Sequence, residues 1–212
     1  MSRRCALALL LCRCVALAVI IDRIAVVVGS SIVKQSDIEI DLRVTEFLNN
    51  QPLDLSLAKQ KEAASRLIDQ VFIRKEIQVG SYPVATLQEA DAQIERLVKQ
   101  RYKTQAAFRQ ALSRYGLTEL ELRTHFQWQL TVLKFIDDRF KPAVLVNDDE
   151  IEAYYHQHAA ALRGQHPGES LDQLRARIRD ILTAEGVNKE FFAWLDQARS
   201  DAKIQYLEAS LK

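Results

Sequence analysis

A chain of 212 residues with 29 basic and 28 acidic side chains, six glycines and four prolines has the composition of a helix-rich globular protein large enough to bury a core. Its formal charge of +1 gives no electrostatic basis for gripping nucleic acid or anionic lipid. Cys5, Cys12 and Cys14 are the three cysteines, and their crowding at the N-terminus excludes a disulfide framework or thiol chemistry in the rest of the chain.

MSRR followed by CALALLLCRCVALA reads as a positive segment, an apolar segment and an Ala16-Leu17-Ala18 cleavage signal. This predicts a signal peptide over 1–18 and a single domain over 19–212, with an N-terminal helical part at 19–145 and closing helices and a strand at 146–212. Arg13 interrupts the apolar run. The alternative is an uncleaved anchor from Cys5 to Ile21, short for a span of roughly 20 residues. Leu11 and Arg13, which precede Cys12 and Cys14, are not the small residues a lipid-modified cysteine requires. Without Arg3, Arg4 and Arg13 the 29 basic residues become 26 against 28 acidic, a formal charge of −2.

In chain order, Ile24 to Val28 is a β-branched run that stops at Gly29-Ser30-Ser31 and resumes at Ile32-Val33, the pattern of a short hairpin. Its continuous apolarity predicts burial on both faces, and two short strands alone are marginal, so a third strand is required. Ser36 with Glu39 is a capping box for a helix to about Phe47. Ser56 to Val79 is a longer helix with Leu57, Ala64, Leu67, Ile68, Val71 and Phe72 facing inward, ending at Gly80. Thr86 with Glu89 opens a third, burying Ala90, Ile94, Leu97 and Val98 and leaving Glu95, Arg96, Lys99 and Gln100 in solvent. Thr104 starts a short helix with Phe108, Leu112 and Tyr115 that stops at Gly116.

Thr118 to Phe140 is apolar on two sides. Leu122, Phe126, Leu130, Leu133 and Phe140 form one stripe, while Leu120, Trp128, Val132 and Phe135 form a nearly opposite one. Such a helix must lie between two layers of chain, or between one layer and something that binds. Beyond it, Asn147 caps a helix whose acidic first turn, Asp148-Asp149-Glu150, suits the helix dipole and which gives out near Gly164. His166-Pro167-Gly168 is loop-like. Ser170 to Ala184 is amphipathic and ends at Gly186, Asn188 to Arg199 carries Phe191, Phe192, Trp194 and Leu195, and Ile204 to Leu207 is the candidate third strand.

Catalytic signatures are missing: no GxSxG, no phosphate-cradling glycine loop and no nucleotide fingerprint occurs. His156 and His158 are two residues apart, so on a helix they diverge by about 200° and cannot share an ion. Neither a metal nor a cofactor is expected. His125 has no carboxylate at helical spacing to orient it. Asp137 and Asp138 point apart, which argues against an acid and base pair. Of Arg175, Arg177 and Arg179, only the outer two share a face.

The runs RIAVVVGSSIVKQSDIE, RLIDQVFIRKEIQ, TQAAFRQALSRYGL and TELELRTHFQWQLTVLKFI together resemble the N-terminal module of the SurA, PrsA and PpiD family of periplasmic chaperones. IRDILTAEGVNKEFFAWLDQARSDAKIQY is similar to the segment that closes that module. In the family a parvulin-type prolyl isomerase domain normally sits between the two parts, whereas here only about a dozen residues, His158 to Ser170, separate them. The resemblance implies a mainly α, multi-helix SurA-like module with a small β element that pairs the N-terminal hairpin with a C-terminal strand. It also implies a periplasmic, ATP-independent holdase without an isomerase domain, whose partners are unfolded outer-membrane or secreted polypeptides. No catalytic residue is carried over. Alternatives are a degenerate peptidyl-prolyl cis-trans isomerase, or a scaffolding subunit with one fixed partner. If the second stripe of the central helix is not core, Leu120, Trp128, Val132 and Phe135 are the candidate client-binding residues.

Overall fold

In the computed structural model, residues 22–165, 168–208 and 211 are described. The expected signal peptide, the three cysteines, His166 and Pro167 lie outside them.

The hairpin forms as the sequence indicates. β1 (Ile24–Val28) and β2 (Ser31–Lys34) pair antiparallel with Val28 opposite Ser31. The two-residue turn between them depends on Gly29, whose φ of 59° is left-handed and costs glycine nothing. The third strand, β3 (Ile204–Tyr206), pairs antiparallel with the other edge of β1, Val28 opposite Ile204 and Val26 opposite Tyr206. The order is therefore β2-β1-β3, with the most apolar strand in the middle.

Five helices follow the hairpin: α1 (Gln35–Asn49), α2 (Leu57–Gly80), α3 (Leu87–Leu97), α4 (Gln105–Arg114) and α5 (Glu119–Phe140). A π turn, Val98–Tyr102, separates α3 from α4. Helix α1 starts one residue before the expected cap. The Lys34 backbone N–H donates to the Asp37 carboxylate at 2.9 Å, and the Ser36 hydroxyl is drawn to Asp22 instead, at 2.5 Å. At α3 and α5 the expected capping boxes are present: the N–H groups of Thr86 and Thr118 each donate at 2.7 Å to Glu89 and Glu121. Leu57 is 47% exposed and takes no part in the inner face of α2, which is Ala63, Ala64, Ile68, Ile73 and Ile77.

After a short 3-10 turn at Lys141–Ala143 come α6 (Asp148–Gln157), α7 (Ala159–Gln165) and α8 (Leu171–Ser200). The single helix expected from Asn147 to Gly164 is broken at His158. The two helices expected on either side of Gly186 are instead one helix of 30 residues. Gly186 does not stop it, because its missing side chain makes room for a neighbour: a Cβ there would fall 2.6 Å from Cγ1 of Val144.

The buried side chains form four clusters. Ala25, Val26, Val28 and Val33 of the sheet pack on Ile38 and Leu42 of α1 and on Ala64 and Ile68 of α2. A second cluster joins Val44 and Phe47 of α1 to Ile94, Phe108, Leu112 and Leu122. The third joins Ile73 and Ile77 of α2 to Phe135 and Phe140 of α5 and to Val187, Phe191 and Leu195 of α8. Ile151, Leu162, Leu174 and Ile178 complete the fourth.

Helix α5 is covered on two sides, but the division is not the pair of full-length stripes expected. A helix of 22 residues is about 33 Å long, longer than one core cluster, so its two halves meet different neighbours. Leu122 and Phe126 near its start face α1, α3 and α4, while Phe135 and Phe140 near its end face α2 and α8. Leu133, expected on the first stripe, is 60% exposed.

Candidate functional site

The second stripe of α5 separates along its length. Phe135 is fully buried, in edge contact with Tyr82, Phe140 and Trp194 at centroid distances of 5.0, 5.7 and 5.7 Å. Val132 packs half-buried against the same cluster. These two candidates belong to the core. Leu120 is 63% exposed, and Trp128 is half-buried and lines a groove.

That groove has a volume of about 830 Å³. Its walls are β2 with its turn, α1, α2 and the first half of α5, represented by Ile32, Ile40, Val71, Leu120 and Trp128. β2, which lines the groove, is an edge strand, and among the described residues its outer edge has no ladder partner. Ile32, on the outer face of β2, is 46% exposed. A second cavity of about 510 Å³ adjoins it and shares Arg74, Gln78, Thr124 and Trp128. Tyr82 and Val84 line its far side.

The acidic groups of the groove are engaged within the fold. Asp37 caps α1, Asp41 accepts from Nη2 of Arg66 at 2.5 Å, and Glu121 caps α5. Arg74 differs. Its guanidinium carbon lies 3.7 Å from the centroid of the Trp128 ring, a cation–π stack, and among the described residues it forms no hydrogen bond or ion pair. Desolvation by its neighbours lowers its pKa from the usual arginine value, opposed at a distance by Asp37. The side chain is exposed to the groove nonetheless.

His125 occupies the groove wall. Its Nε2 is buried, and among the described residues it has no hydrogen-bond partner. Burial lowers its pKa, and Arg66 lowers it further while Asp41 opposes.

The remaining polar candidates have structural surroundings. His158 stacks on Tyr154 at 4.2 Å, and Arg175 and Arg179 both reach Asp148, at 2.9 and 3.2 Å. Among the described residues no group of three or more His, Cys, Asp or Glu side chains is placed to hold a metal ion. No helix among them is long and apolar enough to cross a membrane. Helical periodicity points to Leu120 and Trp128, which line the groove. Ile32 and Arg74 line it as well, and no local pattern marks them, because their placement depends on which strand is the sheet edge and which ring a cation covers.

No family model matches the chain, and no curated protein matches it in sequence. Among solved structures the fold has counterparts. One comes from PEB4 and the periplasmic protein Cj1289, described as two structurally related SurA-like chaperones of Campylobacter jejuni. It aligns with a TM-score of 0.54 and 15% identity over 88% of this chain and 100% of that one. The likeness is one of fold.

Proposed function

We propose that this protein is a periplasmic, ATP-independent chaperone that holds unfolded outer-membrane or secreted polypeptides in the groove between β2 and α5. The observation that carries the reading is the groove itself: it is lined by the edge strand β2 and by the apolar side chains of Ile32, Leu120 and Trp128, each at least partly exposed. An extended chain can add to such an edge through its backbone, which is indifferent to sequence, while alternate side chains enter the apolar space. The fold likeness to SurA-like chaperones, one of them periplasmic, supports the same reading.

Each client side chain fully buried there contributes at most ~1.5–3 kcal/mol before the cost of ordering the chain. Binding is therefore weak at any one contact and reversible, as a holdase requires. The reading includes no isomerase step. The test is aggregation of an unfolded β-barrel protein with a stoichiometric amount of this protein. Suppression supports the proposal, and unchanged aggregation removes it. A protease-coupled proline peptide assay with no acceleration would set aside the isomerase alternative.

A further inference from the structure

Resting on the peptide-groove reading, we infer that the Arg74–Trp128 pair is a carboxylate clamp that selects extended segments carrying an internal Asp or Glu beside apolar residues.

Three observations carry this. First, the charge of the groove is unbalanced at one point. Asp37, Asp41 and Glu121 are committed to caps and to Arg66, while the Arg74 guanidinium makes no ion pair or hydrogen bond among the described residues and feels Asp37 only at a distance. Second, the guanidinium is held in place over an aromatic ring. Its carbon lies 3.7 Å from the centroid of the Trp128 ring, so the ring holds the guanidinium at the groove, and a guanidinium is a planar fork able to take a carboxylate through two parallel hydrogen bonds. Its partial desolvation strengthens such a bond relative to one made in water. Third, Arg74 and Trp128 line both cavities. A chain can therefore continue past the clamp on either side, which suits a side chain in mid-segment over a chain end. Lys75, beside Arg74 on the same wall, adds to the attraction without supplying a fork.

The neighbouring walls fit the rest of such a segment. In a strand, side chains alternate, so a carboxylate directed at Arg74 places its i±1 neighbours on the opposite side and its i±2 neighbours along the apolar wall of Ile32, Val71 and Leu120.

The experiment measures binding of blocked, alternating valine–threonine peptides to the full chain by isothermal titration or anisotropy. The central residue is Glu, Gln or Lys, and a fourth peptide has no internal acid but a free C-terminal carboxylate. The expected order is Glu above Gln above Lys, with Glu about five- to tenfold tighter than Gln and the gap narrowing as salt rises. In Arg74→Gln the Glu and Gln peptides should bind alike, at the wild-type Gln affinity. Arg74→Lys should restore only part of the preference. Equal affinity for Glu and Gln in the wild-type chain overturns the clamp while leaving the groove reading intact. Failure of every peptide to bind removes both. A free C-terminal carboxylate binding as tightly as internal Glu overturns the assignment to a mid-segment acid.

Discussion

Arg199 and Asp69, separated by 130 residues, form a direct ion pair. The same guanidinium also donates to the Ser65 carbonyl at 2.8 Å and to its hydroxyl at 2.9 Å. These contacts fasten the last turn of α8 to α2, next to the place where β3 enters the sheet. Asp69 raises the pKa of Arg199, as expected of a charge-assisted contact. Arg199→Ala should cost roughly 1.5–3 kcal/mol of stability in urea denaturation. In a double-mutant cycle with Asp69→Asn, most of that cost should be shared.

Phe135 and Trp128 lie on the same stripe of α5 but should respond differently to truncation. Phe135→Ala removes a fully buried ring and should cost about 3–5 kcal/mol. Trp128→Ala should cost clearly less while weakening peptide binding more. Denaturation and peptide titration on the same pair of variants check both halves of the statement.

Glu89 accepts from Lys134 and from the Thr86 N–H and hydroxyl, and these bonds, led by Lys134, hold its carboxyl down to about 2. A depressed carboxylate contributes stability that is present above its unfolded value near 4.5 and is lost as pH falls toward 2. A side-chain NMR titration should find Glu89 still ionised at pH 3. In Lys134→Met its titration should move upward.

The sign is the same for His125 but the window is different. A half-buried imidazole whose pKa is lowered resists protonation in the fold, while the unfolded chain takes a proton near 6.5. Stability therefore rises with pH between the lowered value and 6.5. His125→Gln should flatten that part of the curve of midpoint denaturant against pH. An unchanged slope would assign it to other groups.

Gly186 sits inside α8, where alanine is the better helix former by about 1 kcal/mol. Gly186→Ala should nevertheless destabilise, by roughly 1 kcal/mol net, because the new Cβ runs into Val144 and overpacking of this kind costs about 1–3 kcal/mol. Adding Val144→Ala should recover the loss and expose the helical gain.

Local chemistry is legible in the sequence at several short patterns, though not at Ser36, whose hydroxyl goes to Asp22 in place of a cap. The boxes at Thr86 and Thr118, the Gly29 turn and the need of β1 for a strand from the far end of the chain all follow from neighbouring residues or from one apolar run. Gly186 was misread because a glycine that ends a helix and a glycine that admits a neighbour look alike along the chain. Only the position of Val144 separates them. The α5 stripes were read as two continuous faces because periodicity reports which residues are apolar, not where one covering layer gives way to the next. Leu120 and Trp128 were found as apolar positions, yet the groove they border needs the β2 edge and the Arg74 stack. Both are long-range facts.

The central position of β1, flanked by β2 from its own hairpin and by β3 from the other end of the chain, has a consequence for the order of assembly. The first strand is made early and its inner edge remains unpaired until residues 204–206 have been synthesised and carried into place. Such a late, non-local closure slows folding and leaves an apolar edge open to other chains meanwhile. A nascent or truncated chain without β3 would itself be an aggregation-prone substrate, in need of the same protection that the completed fold is proposed to give.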